Sequence, residues 1–197
     1  TDWQAGGEYT YTVSLAAARG YIIEDDGSYT VTSADGLMNI AELVNGGKTD
    51  INITLDTDID LTGKDWTPIG TDYDNSYKGT FDGGGHTITG LTFTTNDEYA
   101  GLFGRLNRAG TVKNVVMEGV QITSNQIDGG SIGGVVGSSW GTIENCSVSG
   151  SVSGTVYVGG VVGVQIGGSI TGCSSSATVK GLSLIHISEP TRRTPIS

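Results

Sequence analysis

A short pattern of a glycine, a small hydroxyl residue and an apolar residue recurs four times along the chain. Its copies begin at Gly79, Gly110, Gly141 and Gly168. The starts lie 31, 31 and 27 residues apart, and short apolar–polar alternations such as Ser147–Ser153 lie between them. Short strands separated by glycine, with a period of roughly 30 residues, predict a stack of similar turns. We therefore predict an all-β fold, a right-handed parallel β-helix (β-solenoid).

The apolar residue of each copy is expected to face the core of this stack. Val112, Ile143 and Ile170 would form one inward column, each about 4.8 Å from the next. A helical solenoid has periods of the same length, but the repeats do not keep apolar residues at the spacing of a helical face. The 19 glycines of residues 99–181 would also each cost about 1 kcal/mol inside a helix. The repeats are therefore predicted to consist of strands.

A different pattern, before residue 51, predicts one short N-terminal helix. Apolar residues occupy one broad helical face from a start near Asp35, and Gly46 suits the end of the helix. The apolar positions are Leu37, Met38, Ile40, Ala41, Leu43 and Val44. We expect this helix to cap the open end of the stack, because an uncapped turn exposes its core and its unpaired backbone.

Strict alternation over Ile51–Leu61 predicts one half-buried strand that enters the solenoid. Its polar face carries Asp56, Asp58 and Asp60. Successive residues on one face of a strand lie about 6.5–7 Å apart, which is too far to share a proton or one ion. We therefore expect these carboxylates to form a solvated outer face.

The charge of the chain is unevenly distributed and excludes one class of partner. The net charge is −11, and residues 1–98 hold 17 acidic against 4 basic residues, whereas residues 99–181 hold 3 against 4. Nucleic acid requires a basic face, so we expect no nucleic-acid partner. No apolar run approaches the length of about 18 residues that a membrane span needs. Two cysteines cannot form a four-cysteine zinc site, and we expect no metal and no other cofactor.

A second glycine-rich pattern precedes each of the last three copies, at Ala100–Gly104, Gly133–Gly137 and Gly159–Gly163. Together, the two patterns resemble the GLUG-motif repeats of bacterial surface proteins, in three copies over residues 100–181. The resemblance implies an extracellular or cell-surface location. Such repeats occur in adhesin-like proteins and beside the peptidase domain of some immunoglobulin A proteases. The last copy has Gly172 where the earlier two have Asn114 and Asn145, which limits any stacked asparagine ladder to two members.

The two ends of the chain resemble other sequences. Trp3–Leu15 resembles the closing strand of fimbrillin-type β-sandwich domains, so residues 1–28 are expected to be the end of such a domain and a linker. Residues 29–181 would then be the parallel β-helix. Residues 182–192 resemble the translation of a sequencing-library adapter at all eleven codons. Such a segment is expected in a sequence read from a metagenomic library. Residues 182–197, including His186, are therefore predicted to be an artefact and carry no functional argument.

Exposed aromatic residues are the predicted ligand-binding residues. Trp140 lies directly before the corner glycine Gly141, and Tyr157 lies in the last copy. We predict that the corner around Trp140 and Tyr157 contacts a ligand, although a sugar platform and simple corner packing have the same sequence pattern. Cys146 and Cys173 occupy one repeat position in neighbouring turns and are predicted to be two buried thiols that behave as small apolar residues.

Three functional classes fit these observations. The first is a non-enzymatic bacterial surface protein whose solenoid is an adhesive or spacer, with a host or microbial surface glycan or protein as its partner. The second is a carbohydrate-active β-helix enzyme, a lyase or a hydrolase, which needs two or three acids and a Lys or Arg on one outer face. Asp82, Lys113 and Glu144 occupy equivalent positions in successive turns, and we call this row of acidic and basic residues the mixed file. It is the weak support that the sequence gives for an enzyme. The third is a non-catalytic segment of a large surface peptidase. We predict the first, with no catalytic residue.

Overall fold

The computed structural model describes residues 19–126 and 129–181, which contain one helix, α1 (Ala34–Asn45), and twenty strands. The strands are β1 (Tyr21–Ile23), β2 (Tyr29–Val31), β3 (Ile53–Leu55), β4 (Ile59–Asp60), β5 (Thr80–Asp82), β6 (Thr87–Thr89), β7 (Thr92–Thr95), β8 (Tyr99–Ala100), β9 (Phe103–Leu106), β10 (Thr111–Lys113), β11 (Val116–Ser124), β12 (Ser131–Gly133), β13 (Val136–Ser139), β14 (Thr142–Glu144), β15 (Ser147–Gly154), β16 (Tyr157–Gly159), β17 (Val162–Gln165), β18 (Ser169–Thr171), β19 (Ser174–Ser175) and β20 (Thr178–Gly181). Within the described residues the fold is a β-solenoid of about four turns.

The first sheet runs through all of these turns and confirms the predicted repeat. Its parallel members are β2, β3, β5, β10, β14 and β18, in that order. The register pairs Phe81 with Val112, Val112 with Ile143 and Ile143 with Ile170. Phe81, Val112 and Ile143 are fully buried. The glycine spacing of 31, 31 and 27 residues therefore equals the length of each turn.

Three further sheets complete each turn. The second sheet is built on the long strands β11 and β15, each of which pairs with two short strands on a neighbouring turn. The third sheet contains β8, β12 and β16, and the fourth contains β9, β13 and β17, all in parallel pairs. The chain in each repeat thus passes from the first sheet through the second, third and fourth and returns by one corner.

Close approach between the third and fourth sheets explains the glycine-rich segments. A Cβ at Gly137 would lie 2.6 Å from the Ser131 carbonyl oxygen and 2.8 Å from the Gly104 carbonyl oxygen. No side chain fits at that distance, so backbone packs directly against backbone here. Each repeat needs glycine at the equivalent position, because the third and fourth sheets approach each other in the same way in every turn.

The helix α1 begins and ends as predicted. The Ser33 side chain accepts a hydrogen bond from the Gly36 N–H at its start, and Gly46 caps its end. Leu37, Ile40 and Val44 are buried and belong to the same apolar core as the strands. The helix follows β2, the first parallel strand of the first sheet, and therefore closes the N-terminal end of the core.

The prediction of one strand over Ile51–Leu61 is wrong. The segment forms β3 in the first sheet and β4 in the second, with a corner at residues 56–58 between them. Ile53, Leu55, Ile59 and Leu61 are nevertheless all buried, as the alternation predicts. The corner preserves the alternation of inward and outward side chains, so a pattern of period two does not reveal the change of sheet.

Two predicted regions lie partly or wholly outside the described residues. The fimbrillin-like strand falls in residues 1–18 and the adapter-like tail in residues 182–197, so both stay predictions. The part of the predicted linker that is described is ordered into the solenoid, because β1 pairs antiparallel with β2 at the end of the first sheet. Tyr21 is buried there and its ring lies 5.6 Å from that of Tyr29.

Candidate functional site

A surface cleft lies at the corner between the fourth and the first sheets. We call it the corner cleft, with a volume of about 200 Å³, and its lining residues are Tyr73, Ser76, Arg105, Leu106, Asn107, Arg108 and Trp140. Arg105 and Leu106 belong to β9, Asn107 and Arg108 to the corner that follows, and Trp140 to the same corner one turn later. The cleft is therefore built by the stacking of two turns and by one loop.

That loop, residues 71–76, is called the tyrosine loop and projects from the first turn beside β9. The Arg105 N–H donates to the Gly70 carbonyl oxygen, and the Arg105 carbonyl oxygen accepts from the Tyr77 N–H, at 2.8 and 3.0 Å. The helix fixes the near end of the loop, because the Asn45 side chain accepts from the Gly70 N–H and donates to the Pro68 carbonyl oxygen. The loop is thus clamped at both ends around Arg105.

Internal hydrogen bonds stiffen the tyrosine loop. One carboxylate oxygen of Asp72 accepts from the Asp74 and Asn75 N–H groups, each at 2.9 Å. The hydrogen bonds from Asn75 are the main cause that holds the pKa of Asp72 below its usual range. The Ser76 hydroxyl donates to the Tyr73 carbonyl oxygen and accepts from the Asn107 side chain. The Tyr73 side chain is left 77% exposed at the rim of the cleft.

Arg105 is held by two aromatic rings. Its guanidinium carbon lies 5.1 Å from the ring centroid of Tyr73 and 5.1 Å from that of Tyr99. Tyr99 donates to the Glu98 carboxylate at 2.5 Å. Partial burial and this hydrogen bond raise the pKa of Tyr99, and the charge of Arg105 opposes the rise. Tyr99 is therefore a neutral hydrogen-bond donor beside the cleft at physiological pH.

Arg108 and Trp140 meet across two turns of the solenoid. The guanidinium carbon of Arg108 lies 4.9 Å from the indole centroid, within the range of a cation–π contact. The backbone N–H of Trp140 donates to the Leu106 carbonyl oxygen at 3.0 Å, and this hydrogen bond fixes the corner. On the following turn, a Cβ at Gly167 would lie 3.1 Å from Trp140 Cε3, so the backbone there packs closely on the ring.

Neither arginine of the cleft has a carboxylate partner within the described part of the chain. The ion pairs found there are Lys64–Asp35, Lys113–Asp82 and the contact of His86 with Asp58. Arg105 and Arg108 therefore present their guanidinium groups to the cleft with no carboxylate within 4 Å. Two such cations in a chain of net charge −11 favour an anionic ligand.

The structure separates the two predicted ligand-binding residues. Trp140 lines the corner cleft and is half-buried, whereas Tyr157 begins β16 in the third sheet and is 50% exposed. Tyr157 pairs with Ser131, the first residue of β12. Trp140 lies later in the same turn as Ser131, directly after β13. The two residues therefore lie at different corners of the coil, and their role in binding stays a prediction.

Sequence reasoning did not identify Arg105, Arg108 or Asn107. A signal for Arg108 was present, because the alignment of Gly110 with Gly141 places Trp140 one turn from Ala109, the neighbour of Arg108. No comparable signal existed for Arg105. Its aromatic neighbour Tyr73 comes from a loop that lies outside the repeats.

The mixed file of Asp82, Lys113 and Glu144 forms as the alignment predicts. Its members lie in register on β5, β10 and β14. Asp82 accepts hydrogen bonds from the Asn114 side chain and the Gly84 N–H, and pairs with Lys113 at 3.2 Å. Partial burial alone would raise the pKa of Asp82, but these partners together hold it below its usual range. Asp82 is therefore ionised and engaged, which is unfavourable for a general acid.

Two of the three aspartates predicted to form a solvated outer face, Asp58 and Asp60, have local partners. Asp58 accepts from the Thr87 N–H at 2.9 Å and lies 3.4 Å from His86 Nδ1, so it links neighbouring turns. The Thr87 hydrogen bond is the largest contribution that lowers the pKa of Asp58. Asp60 accepts from the Thr62 N–H within its own turn. Residues 19–126 and 129–181 contain no group of three His, Cys, Asp or Glu residues that could hold a metal ion.

Cys146 and Cys173 occupy one column in neighbouring turns, as predicted, and both are free thiols. Cys146 is buried as predicted, but Cys173 is only half-buried, because it lies on the last described turn. The Cys146 N–H donates to Cys173 Sγ at 3.4 Å. Burial raises the pKa of Cys146 to about 12. A thiol with so high a pKa is a poor nucleophile, so Cys146 acts as a small core residue.

The parallel strand order and the repeated corners define the class of the protein as a parallel β-solenoid built from sequence repeats. The repeats are those of the GLUG motif, whose family model matches residues 128–153 and 154–180. These segments are the second and third of the three predicted copies. The first copy has the same order of strands, from β8 to β11.

Two relatives share the sequence over most of the chain. Halomucin of Haloquadratum walsbyi is 31% identical over 192 residues, which cover 85% of this chain and 2% of halomucin. A candidate Gly-rich membrane protein of Evansella cellulosilytica is 34% identical over 129 residues, which cover 61% of this chain and 14% of that protein. The chain thus spans a small part of each relative.

One solved structure shares the fold. The crystal structure of a candidate immunoglobulin A1 protease from Bacteroides ovatus matches with a TM-score of 0.67 and 27% identity. The match covers 79% of this chain and 49% of that chain. Within the described residues, no helix is both long and apolar enough to cross a membrane.

Proposed function

We propose that this chain is a segment of a non-enzymatic bacterial cell-surface protein, in which the solenoid is an adhesive or spacer module. The observation that carries the proposal is the run of GLUG repeats on a parallel solenoid. The chain is also similar in sequence to halomucin and to a relative named as a membrane protein. A solenoid is stabilised turn on turn, so its outer side chains are free to form an extended binding surface.

The arrangement of charged groups supports binding rather than catalysis. Asp82 and Glu144 are separated by two strand steps, about 10 Å, with Lys113 between them. Asp82 has its oxygens engaged by Asn114, Gly84 and Lys113. A glycosidase needs one protonated and one free carboxyl group facing the same substrate, and this file does not provide such a pair.

The candidate protease from Bacteroides ovatus favours a second reading, in which the chain is a non-catalytic segment of a larger surface peptidase. The solenoid would then position a catalytic domain on its target. Both readings predict that the purified chain binds without turnover.

The test is a screen of the purified chain for binding to a glycan array and to mucin, with release of reducing sugar and peptide-bond cleavage followed in the same samples. We expect binding without turnover, with or without calcium. Trp140→Ala and Tyr157→Ala, measured separately because they lie at different corners, locate the binding face. Turnover that disappears in Asp82→Asn or Glu144→Gln would overturn the proposal and identify an enzyme.

A further inference from the structure

We propose that the corner cleft binds the carboxylate of an acidic sugar, with Arg105 and Arg108 as the anion ligands and Tyr73 and Trp140 as the surfaces for the sugar ring. This inference rests on the proposed adhesive function and names the class of ligand for one site. Its starting point is the pair of guanidinium groups that lack a carboxylate within 4 Å in the described residues.

The guanidinium groups are already positioned for an anion. Arg105 is held between a clamped backbone and two tyrosine rings, and Arg108 is held over an indole. An arginine that stacks on aromatic rings keeps the N–H donors at the edge of its plane for other partners. Because the side chains are ordered before the ligand arrives, binding costs less conformational entropy.

The geometry of an arginine fork selects a carboxylate. Two parallel N–H groups match the two oxygens of a carboxylate, and such charge-assisted pairs are the strongest hydrogen bonds available to a protein surface. Asn107 adds an amide to the lining of the cleft, and its side chain donates to the Ser76 hydroxyl. These polar groups line the cleft together with the exposed ring of Tyr73 and the indole of Trp140, which suits a ligand ring with both polar groups and apolar C–H faces.

The size and surroundings of the cleft limit the ligand. A volume of about 200 Å³ is below that of pockets for drug-sized molecules, so it suits a single sugar unit. The carboxylates of Asp72 and Glu98 flank the cleft, and each is engaged by neighbouring donors. Together with the net charge of −11, they disfavour nucleic acids and other polyanions. A singly charged terminal sugar therefore fits best.

The test is titration of the purified full chain with methyl N-acetylneuraminide and with glucuronic acid, beside neutral methyl galactoside and a sulfated galactose. We expect the carboxylated sugars to bind at least about tenfold more tightly than the neutral one. Arg105→Gln and Arg108→Gln should each weaken binding by about tenfold or more, and Arg105→Lys should also weaken it because the fork is lost. Higher salt should weaken binding as well.

Matched controls separate the cleft from the rest of the surface. Lys180→Gln removes an exposed charge on β20 and should change the affinity less than twofold. Thermal unfolding of each variant, compared with that of the unmodified chain, establishes that the loss of binding is not a loss of fold.

Other outcomes overturn the inference in distinguishable ways. Equal affinity for neutral and carboxylated sugars, or affinity for the sulfated sugar alone, excludes the carboxylate site. Glycan or mucin binding that depends on Tyr157 and not on the arginines also excludes it, but leaves the adhesive function standing. Absence of binding to every glycan and protein tested would overturn the site and the adhesive function together.

Discussion

Two asparagines adopt a backbone conformation that few residues tolerate. Asn114 and Asn145 have φ values of +54° and +51°, and occupy the corner after β10 and after β14. The Asn145 amide donates to the Asn114 side chain at 3.4 Å, and Asn114 in turn donates to Asp82 at 2.9 Å. The predicted two-membered ladder is confirmed, and Asp82 completes it. Gly172 takes the next position, with φ of +63°.

Asn145→Ala is expected to lower the free energy of unfolding by about 1–2 kcal/mol, because alanine is strained at positive φ and the ladder bond is lost. Asn145→Gly loses the same hydrogen bond but accepts the backbone conformation, so it should cost less. Urea unfolding of the two variants gives the comparison. Equal losses of unfolding free energy for alanine and glycine would show that the backbone conformation does not decide which residue is tolerated at position 145.

Ser138 and Ser139 are neighbouring buried serines on β13 whose hydroxyl groups differ in hydrogen bonding. Both side chains are buried, but Ser138 Oγ has no hydrogen-bond partner among the described residues, whereas Ser139 Oγ accepts from the Gly141 N–H at 3.2 Å. Ser138→Ala should therefore raise the free energy of unfolding by up to about 1 kcal/mol, and Ser139→Ala should lower it by about 1–2 kcal/mol. Equal effects of the two substitutions in chemical denaturation would contradict this assignment.

Cys146 makes stability depend on pH in alkaline solution. Its folded-state pKa of about 12 lies above the value of about 8.5 expected for the unfolded chain. The stability from the protonated thiol is therefore complete below about pH 8.5 and is lost as the pH rises toward 12, by at most about 1.4 kcal/mol per pH unit. Burial also raises the pKa of Tyr77, which acts in the same direction at still higher pH.

The measurement is the free energy of unfolding between pH 8 and 10 under reducing conditions. Cys146→Ala should flatten this pH dependence, whatever its constant effect on packing, and Cys173→Ala is the control from the next turn. Parallel curves for the unmodified chain and for Cys146→Ala would show that the thiol does not cause the dependence.

At the scale of elements, the helix joins the solenoid core to the corner cleft. Leu37 and Val44 are fully buried in the core, and Asn45 holds the start of the segment that leads into the tyrosine loop. The helix thus caps the core and positions one wall of the corner cleft. Loss of its packing would affect both stability and the site.

Leu37→Ala should lower the free energy of unfolding by about 2–5 kcal/mol, the range for a leucine removed from a closed core. Leu43 lies on the same helix but is only half-buried, so Leu43→Ala should cost clearly less. Thermal or urea unfolding measures both. A larger loss at Leu43 than at Leu37 would contradict the placement of the helix.

Periodic elements could be predicted from the sequence and non-periodic ones could not. The column of Val112, Ile143 and Ile170 follows from glycine spacing alone, since each turn repeats the same constraints. The helix follows from its apolar face. The division of Ile51–Leu61 into two strands was missed because a corner that keeps the alternation leaves no trace in the pattern.

The candidate site was only partly predictable for the same reason. Trp140 could be identified as an aromatic corner residue, and the repeat alignment brings it near Arg108. The contact of Arg105 with Tyr73 depends on a loop that occurs once, between Gly70 and Tyr77. No periodic rule places such a loop, and only the folded chain reveals the cleft.

At the scale of the whole molecule, one column of apolar side chains runs through the stacked turns. The column residues Val112 and Ile143 are fully buried, whereas Ile170, on the last described strand of the first sheet, is 43% exposed. Tyr157 and Val179, in the same final turn, are exposed to 50% and 45%. Each turn is stabilised by the turns on both sides, so a column residue is fully buried where described turns stack above and below it.

The charge is distributed along the same axis. The first half carries most of the acidic residues, and the repeats are close to neutral, with Arg105 and Arg108 concentrated at one corner. An acidic body with one local cationic cleft favours a small anion over a polymeric one. Under the proposal made above, two stacked turns and one loop together build a single binding site.

The most direct test of this claim is nuclear magnetic resonance of the isotope-labelled chain during titration with methyl N-acetylneuraminide. The indole N–H of Trp140 and the guanidinium signals of Arg105 and Arg108 should shift together and follow one saturation curve, because one ligand contacts residues from two turns. Tyr157 signals should stay unchanged. Shifts confined to Tyr157 or to the file of Asp82 and Glu144, or no shift at saturating sugar, would contradict the account.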